Sequence, residues 1–214
     1  MKKRQLSLIL ILIFLSACFH KKNNIKQTEF IIKKPAKVII LPFVKVNNTI
    51  QRKIKCNSPD KSVVCSYKSD EFKLIGRQLA TKFYFALINK RKDYEPVELD
   101  DVENAFQKNI SQININDIVD RFKIDYIIEG YVYKFIERKG SEYSVVEPAT
   151  VHFVVVIRNA VTGEIVWQKD YYEKQKALSK NLLNVFNFFK RKGRWLTALE
   201  LAEHGINKIV NELP

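Results

Sequence analysis

The sequence predicts an α/β domain in which a mixed β-sheet packs against helices. Early in the chain, short apolar runs alternate with segments of helical periodicity, which is typical of parallel strands joined through helices. Later, two longer runs rich in Val, Ile and Tyr are joined by a short turn, which is typical of an antiparallel hairpin. The chain shows no internal repeat, so we expect a single domain that contains both kinds of strand pairing.

The amino-terminal residues 1–17 have the pattern of a secretory signal peptide. Lys2, Lys3 and Arg4 precede an apolar run, Leu6–Ala17, which only two serines interrupt. This run of 12 residues is shorter than the roughly 20 residues that a membrane-spanning helix needs. A charged start, a short apolar core and small residues before a cleavage point are typical of an exported protein.

Leu15, Ser16, Ala17 and Cys18 resemble the lipobox of bacterial lipoproteins. The resemblance implies that the Cys18 thiol receives a diacylglycerol, that cleavage occurs before Cys18, and that the new amine is acylated. Each buried CH₂ of such chains contributes about 0.8 kcal/mol, so two or more chains, with palmitate among them, give a stable anchor. Phe19 stands where an Asp retains many lipoproteins in the inner membrane. The expected location is therefore the periplasmic face of the outer membrane.

The rest of the chain divides into a short tether and one domain. Residues 18–36 are polar and basic without a sustained period, so we expect a lipidated tether there. Within it the 16 residues from Phe19 to Lys34 span at most about 55 Å, which keeps the domain near its own membrane. Residues 37–214 are long enough to form one periplasmic α/β domain with a sizeable core.

The formal charge of +14 limits the kinds of molecule that this chain is expected to bind. Removing the three basic residues Lys2, Lys3 and Arg4 from +14 leaves +11 on the mature chain. Acidic partners compatible with this charge are lipid head groups, an anionic polysaccharide or an acidic protein surface. Nucleic acid is not expected outside the cytoplasm. A second explanation remains open, in which the lysines form an ordinary solvated surface.

Two cysteines remain besides Cys18. Cys56 and Cys65 lie nine positions apart in a segment rich in Lys, Asn and Ser. The expected compartment is oxidising, which favours a disulfide between them. A metal site is the weaker alternative, because the chain has no CxxC pair and its three histidines are scattered. We expect no metal and no cofactor.

The first half of the domain is predicted to alternate strands and helices. Pro42 closes an apolar run that predicts a strand over Lys37–Val44. A helix capped by Ser69 or Asp70 follows, because apolar residues then recur every four positions at Ile75, Leu79, Phe83 and Leu87. A strand over Tyr94–Leu99 and two short helices come next, with helix caps at Asp100 or Asp101 and at Asn116.

The second half is predicted to form an antiparallel meander and a final helix. Strands are expected over Asp125–Arg138, Val151–Arg158 and Ile165–Glu173, with the loop of the hairpin ending at Gly163. The segment "TALE" fits a capping box, in which the Thr197 side chain and the side chain of the third following residue bind each other's backbone N–H groups.

Three segments of this pattern are similar to a group of bacterial envelope lipoproteins. They are "KVIILPF", "DYIIEGYVYKF" and "VVIRNAVTGEIVWQKDY", and they span about Lys37 to Tyr172. The group resembles the amino-terminal domain of TolB, the curli-secretion lipoprotein CsgG, the activator lipoprotein LpoB and the polysaccharide lipoprotein PelC. The resemblance implies the α/β fold and a role in an envelope assembly. It implies neither a pore nor a long reach, because extra barrel hairpins and a long tether are missing from this sequence.

The sequence contains no catalytic motif that we recognise. There is no GxSxG, HExxH, CxxC or Gly-rich phosphate loop. His152 and His204 are expected to have structural roles. Asp125 and Glu129 fall on the same face of one predicted strand and could form a pair, but we expect them to be partners of nearby lysines.

One segment is unusual, because four aromatic residues and four cationic residues lie beside each other within it. Such residues suit either a lipid interface or a protein interface, although the aromatic residues could also be core and the basic ones a solvated turn. We predict a partner or membrane surface formed by Phe186, Phe188, Phe189, Lys190, Arg191, Lys192, Arg194 and Trp195.

The sequence therefore favours a non-enzymatic, outer-membrane-anchored lipoprotein that forms homo-oligomers. It would act as an assembly or regulatory component of an envelope machine for secretion, polysaccharide export or cell-wall synthesis. The alternative is an exported hydrolase or metal-dependent enzyme whose site has no recognisable motif.

Overall fold

The computed structural model describes residues 32–47, 64–66, 70–107, 115–175 and 194–214. These residues all belong to one compact unit, Ile31–Pro214. Their strands and helices follow the chain in this order: β1 Ala36–Ile40, β2 Val44–Asn47, β3 Val64–Ser66, α1 Asp70–Lys90, β4 Tyr94–Pro96, α2 Leu99–Gln107, α3 Ile115–Phe122, β5 Tyr126–Ile136, β6 Lys139–Gly140, β7 Val145–Glu147, β8 Thr150–Asn159, β9 Ile165–Lys174 and α4 Ala198–Asn211.

The seven-stranded sheet is mixed, as predicted. Strand β1 is parallel to both β4 and β5, because each connection between them passes through helices. On its other side β5 is antiparallel to β8, and β8 is antiparallel to β9. Strand β2 continues in parallel along β5 beyond the end of β1, and β3 pairs with β2 in antiparallel fashion.

The main hydrophobic core lies between one face of the sheet and helices α1 and α4. The predicted four-residue spacing places Leu79, Phe83 and Leu87 of α1 in this core, where none of them is exposed. Helix α4 contributes residues spaced three and four positions apart, among them Ala202, Ile206 and Ile209. The two amphipathic faces thus bury each other and the sheet, which is what stabilises short helices in water.

The predicted strand over Lys37–Val44 is divided into β1 and β2. Pro42 has no N–H to donate to the sheet, so the ladder is interrupted there. The following residue, Phe43, turns its ring into the core, 6.3 Å from the ring of Phe83 and 6.1 Å from that of Phe153. Its backbone N–H donates to the Gly76 carbonyl of α1 at 3.1 Å. The Leu-Pro-Phe segment therefore fastens the sheet to α1.

Two glycines make room for Phe43. A Cβ atom on Gly130 of β5 would lie 2.2 Å from the Phe43 ring, and one on Gly76 would lie 2.1 Å from the Phe43 carbonyl oxygen. No side chain fits at such distances. Gly130 lies within the segment "DYIIEGYVYKF", so its contact with Phe43 explains physically why a glycine stands in that strand.

The opposite face of the sheet is covered at one end by α2 and α3. A smaller cluster there joins Ile39 of β1 and Ile127 of β5 to Val102 of α2 and Val119 of α3. This cluster lies near the ends of β5 and β8 that include Tyr126 and Asn159. Of the helices in the described ranges, none combines the length and apolar composition that crossing a bilayer requires.

Some predicted boundaries were wrong. The strand expected to reach Leu99 ends at Pro96, after which only the Val97 N–H still bonds to β1, through the Val38 carbonyl. Leu99 already belongs to α2, so Asp100 and Asp101 lie in its first turn instead of at the cap. The capping box of α4 is confirmed, with reciprocal bonds between Thr197 and Glu200.

The start of β1 and the end of α4 are joined by one cluster of polar contacts. Arg91 binds Asp93 through two hydrogen bonds of 2.9 and 3.0 Å and also donates to the carbonyls of Leu213 and Pro214. Asp93 in turn pairs with Lys34, just before β1. We call Lys34, Arg91 and Asp93 the terminal cluster.

Candidate functional site

Most of the predicted site residues lie outside the described residues. These are Cys18, Cys56, Phe186, Phe188, Phe189, Lys190, Arg191 and Lys192. Cys65 belongs to β3, where its backbone pairs with Val46. The lipid anchor, the disulfide and the greater part of the basic aromatic surface accordingly remain predictions.

Trp195 was predicted at a contact surface, and this is wrong for its side chain. The residue is 7% exposed, its backbone N–H donates to the Glu142 carbonyl at 2.7 Å, and its own carbonyl accepts from Arg138 at 2.7 Å. An indole is large enough to gain more from burial than from exposure when a core is within reach. Trp195 thus helps to fix the chain as it enters α4.

Arg194 is half-buried and engaged with the same region. Its guanidinium pairs with Glu200 at 2.7 Å, and Glu200 is also the residue that completes the capping box with Thr197. Glu137 at the end of β5 accepts from the Ala198 N–H in the first turn of α4, where an anion is favoured by the helix dipole. The carboxyl-terminal end of the basic aromatic segment is therefore held beside the end of β5.

The two carboxylates considered as a possible pair have separate structural partners. Asp125 accepts from the backbone N–H of Lys37 at 2.8 Å. Glu129 is buried and accepts from Arg158 of β8 at 3.0 and 3.2 Å. The predicted lysine partner of Glu129 was wrong, because the neighbour that β5–β8 pairing supplies on this face is an arginine.

Tyr131 completes this buried group. Its hydroxyl donates to Glu129 at 2.9 Å. Burial, followed by the charge of Glu129, raises the pKa of Tyr131 well above its usual range. A neutral hydroxyl, a carboxylate and a guanidinium thus satisfy one another inside the sheet, which is the arrangement that makes buried charges tolerable.

A partly exposed aromatic row crosses three strands on the same face of the sheet. The His152 ring of β8 stacks on Tyr133 of β5 with centroids 4.9 Å apart, and the Tyr172 ring of β9 meets it edge-on at 5.6 Å. His152 Nε2 lies 2.7 Å from a carboxylate oxygen of Asp170, which fixes the orientation of the imidazole. We call Tyr133, His152 and Tyr172 the aromatic row.

A β-bulge in β5 builds this row. The register with β8 shifts between Val132 and Lys134, so Tyr133 is the extra residue. Lys134 nevertheless lies over the Tyr172 ring, 5.8 Å from its centroid, while Tyr133 stacks on His152. The bulge therefore places two consecutive side chains on one face, which a regular strand could not do.

Several exposed apolar side chains lie at the end of the sheet where β5 leads into the β6–β7 hairpin. Ile136 follows Lys134 on the same face of β5 and is 49% exposed, and Tyr172 is 53% exposed. The β6–β7 hairpin, which joins β5 to β8 at this end, exposes Tyr143 by 71% and Val146 by 82%. We call Ile136, Tyr143, Val146 and Tyr172 the hairpin patch.

The described residues offer little for metal or acid–base chemistry. Within the described part of the chain, no three His, Cys, Asp or Glu side chains lie together in a way that could hold a metal ion. His204 is on the exposed side of α4, away from His152 on β8. Sequence reasoning missed the ring contacts of His152, because its partners Tyr133 and Tyr172 come from other strands.

No family model matches the chain, and no curated protein matches it. Three of the solved structures that resemble it are of bacterial proteins. The PelC dodecamer from Paraburkholderia phytofirmans is 13% identical, with 82% of this chain and 84% of that chain covered and a TM-score of 0.40. Lipoprotein GNA1162 from Neisseria meningitidis is 15% identical, with 73% and 97% covered and a TM-score of 0.39.

The LpoB C-terminal domain from Escherichia coli is 13% identical, with 67% of this chain and 86% of that chain covered and a TM-score of 0.38. PelC and LpoB are both proteins that the sequence motifs of this chain resemble.

Proposed function

We propose that this chain is a lipid-anchored, non-enzymatic component of an envelope assembly, held at the periplasmic face of the outer membrane through Cys18. The lipobox-like residues support the anchor, and the short tether supports a position near the membrane. Secretion, polysaccharide export and cell-wall synthesis are the kinds of machine that the sequence resemblance favours. Self-association of the chain is part of the proposal.

One structural observation carries the binding role. The buried charged and polar groups that could have served chemistry, such as Glu129 and Tyr131, are engaged with each other inside the sheet. By contrast, four of the large apolar side chains that are exposed in the described residues collect in the hairpin patch. A rigid sheet that presents apolar and aromatic side chains at one end is suited to binding another surface.

The anchor is tested by metabolic labelling with palmitate. The unaltered chain should incorporate label and sediment with membranes, whereas Cys18→Ala should lose the label and move to the soluble fraction, because no other thiol stands at the lipobox. Cys56→Ala is the matched control and should keep both properties. Equal labelling of the unaltered chain and the Cys18→Ala variant would exclude a lipid anchor.

A further inference from the structure

Strand β9 forms a long margin of the sheet. Among the described strands it pairs with β8 alone, and it extends over 10 residues, Ile165–Lys174. The other strands at the margins of the described sheet, β3 and β4, have 3 residues each, and β4 includes Pro96. Short strands and prolines are common means by which a sheet avoids pairing with another chain. Strand β9 is long and contains no proline, so it has neither protection.

The register of β9 on β8 shows which of its backbone groups point away from the sheet. The Gln175 N–H donates to the Ala149 carbonyl at 3.1 Å. In an antiparallel pair, residues that bond to the partner strand alternate with residues whose N–H and C=O groups point to the other side. The pairing with β8 is regular from Trp167 to Lys174. The residues whose backbone groups point outward are therefore Gln168, Asp170, Tyr172 and Lys174.

The side chains of β9 are complementary to those of a second, antiparallel copy of the same strand. When two copies pair about Tyr171, Lys169 of each copy lies opposite Glu173 of the other. Side chains that lie directly opposite share one face of the sheet, where opposite charges attract and like charges repel. The pairs across the two strands are Gln168–Lys174, Lys169–Glu173, Asp170–Tyr172 and Tyr171–Tyr171, and none of them joins like charges.

The neighbouring registers are less favourable. Pairing about Asp170 places the two Asp170 carboxylates opposite each other, and pairing about Lys169 does the same with two lysines. Pairing about Tyr172 avoids such contacts, but it keeps only residues 170–174 of β9 in the ladder, whereas the register described above keeps residues 168–174. The charges and the length of the strand thus favour one register.

Lys169 makes this edge selective. Its side chain lies opposite Val155 of β8, on the face of the sheet that packs against α1 and α4, and pairs with Glu212 of α4. A charged side chain on the core face of an edge strand hinders pairing with apolar strands. A second copy instead brings Glu173 opposite this lysine. Glu173 also accepts from the Tyr171 hydroxyl, and that bond need not break, because a carboxylate has several acceptor sites.

We infer that two copies of this chain associate by antiparallel pairing of their β9 strands about Tyr171, an inference that rests on the self-association in the proposed function and gives it a surface. In this register the outward backbone groups form about eight hydrogen bonds between the copies. The two sheets become one continuous sheet with both main cores on the same side. The start of each domain stays clear of the contact, because β5 and β8 separate β1 from β9.

The first experiment is disulfide cross-linking of the full chain. Two versions with different epitope tags, one carrying Asp170→Cys and the other Tyr172→Cys, are co-expressed, extracted in detergent and treated with a mild oxidant. Directly opposite residues have Cα atoms about 5.5 Å apart, a distance that a disulfide spans. We expect a reducible species of twice the chain mass that carries both tags.

The matched control is Gln168→Cys in both tagged versions. The two introduced thiols are on the same edge of the strand, but in this register their Cα atoms are about 20 Å apart. They should give only the background that the native cysteines of the unaltered chain produce. The inference is overturned if the control pair cross-links as well as the test pair, or if the test pair does not exceed the background.

The second experiment removes one outward N–H from the edge of β9. Asp170→Pro loses the N–H that bonds to the other copy but keeps the bonds to β8, since a proline is tolerated where the N–H faces away from the sheet. Asp170→Ala is its control, because it removes the same carboxylate and keeps the N–H. Sedimentation of the purified full chain in detergent should show association roughly 10-fold or more weaker for the proline variant than for the alanine variant.

Two outcomes of this experiment would contradict the inference. One is equal association of the proline and alanine variants. The other is a urea midpoint of the proline variant well below that of the alanine variant, which would show that the Asp170 N–H bonds within the fold and does not point outward.

These outcomes are separate from those of the anchor experiment. If Cys18→Ala keeps its label and its membrane fraction, the lipid anchor of the proposed function fails while the two-tag species can still form. If the chain is labelled and membrane-bound but gives no two-tag species, the surface assignment alone fails.

Discussion

At the scale of single residues, the buried pair of Glu129 and Arg158 has the largest expected effect on stability. Both side chains are largely withdrawn from water, with exposures of 10% and 13%. Removing one partner leaves the other charge buried without its counter-ion, which costs far more than the pair contributes when intact. The Glu129–Arg158 pair therefore specifies how β5 aligns with β8. Its net contribution to the free energy of unfolding is small.

Glu129→Ala should lower the free energy of unfolding by about 3–5 kcal/mol, because it strands the Arg158 guanidinium in the sheet. Tyr131→Phe, which removes only one hydrogen bond to Glu129, should cost about 1 kcal/mol. Urea denaturation followed by circular dichroism measures both. Similar losses for the two variants would show that the charge pair is solvated and not buried.

Asp93 in the terminal cluster predicts acid sensitivity. The Arg91 guanidinium, through its hydrogen bonds, and then Lys34 hold the pKa of this carboxyl well below its usual range. A depressed pKa means that the stabilisation is complete above the unfolded pKa of about 3.9 and is lost as the pH falls below it. The urea midpoint should therefore drop between about pH 5 and pH 2, and Asp93→Asn should reduce that drop.

The control for Asp93 is Asp120→Asn, which removes an exposed carboxylate on α3. Its urea midpoint should follow that of the unaltered chain across the same pH range. If the Asp93→Asn variant also follows the unaltered chain, the terminal cluster does not contribute to the pH dependence of stability.

At the scale of the elements, the Leu-Pro-Phe link between β1 and β2 connects three parts of the fold. Phe43 reaches Gly76 on α1 and Gly130 on β5, and its ring packs on Phe153 of β8. A close approach of this kind depends on the absence of a side chain at both glycines. The orientation of α1 over the sheet is therefore sensitive to a single added methyl group.

Gly130→Ala should destabilise the domain by about 1–3 kcal/mol, because its new Cβ would overlap the Phe43 ring. Combining Gly130→Ala with Phe43→Leu should recover part of the lost stability, since the smaller leucine side chain leaves room for the new methyl group. Gly163→Ala is the control: nothing lies within 4 Å of its Cβ position, and its φ of +71° adds a strain of about 1–2 kcal/mol. Thermal denaturation distinguishes the cases, since only the Gly130 defect should be relieved by Phe43→Leu.

The regular elements could be predicted from the sequence because their signals are local. The four-residue spacing predicted α1, the capping box predicted the start of α4, and the alternation of apolar and polar residues predicted β8. Parallel and antiparallel pairing followed from whether a helix or a turn separated the strands. These features depend on residues that are close in the chain.

The contacts of the candidate site could not be predicted in the same way, because they join residues that are far apart. Glu129 and Arg158 are separated by 29 positions. The local sequence of neither strand shows which residue of β5 pairs with which residue of β8. The bulge at Tyr133 shifts that register further, so the aromatic row has no linear pattern. Trp195 was assigned to a surface because it follows a basic run, whereas in the structure its backbone bonds to Arg138 and Glu142, which lie more than 50 positions earlier in the chain, and its side chain is buried.

At the scale of the whole molecule, binding through the basic aromatic segment and binding through the hairpin patch should depend differently on salt concentration. The segment that includes Lys190, Arg191 and Lys192 would bind an acidic surface through its net charge. The four side chains of the hairpin patch are themselves uncharged. Arg194, at the carboxyl-terminal end of the basic aromatic segment, is paired with Glu200 at the start of α4.

Lys190, Arg191 and Lys192 changed together to Ser should leave the unfolding midpoint nearly unchanged, because surface substitutions usually cost little. The same variant should bind membranes or an envelope partner more weakly, and the remaining binding should depend less on salt. Flotation with envelope membranes at low and high salt measures this, with Lys33→Ser, Lys92→Ser and Lys123→Ser together as a charge-matched control. Equal weakening in both triple variants would mean that overall charge, and not this segment, is responsible.

The place of β1 in the sheet has a mechanical consequence. The chain enters the described domain directly at this strand, which is flanked by β4 and β5 on its two sides. If the chain is anchored through Cys18 as we propose, a pull on that anchor that is resisted at the far end of the sheet acts along β1, so the hydrogen bonds on both flanks are loaded together in shear. A strand at the margin of a sheet would instead be peeled away one bond at a time. A domain tethered through β1 would therefore keep its sheet intact under a pulling force.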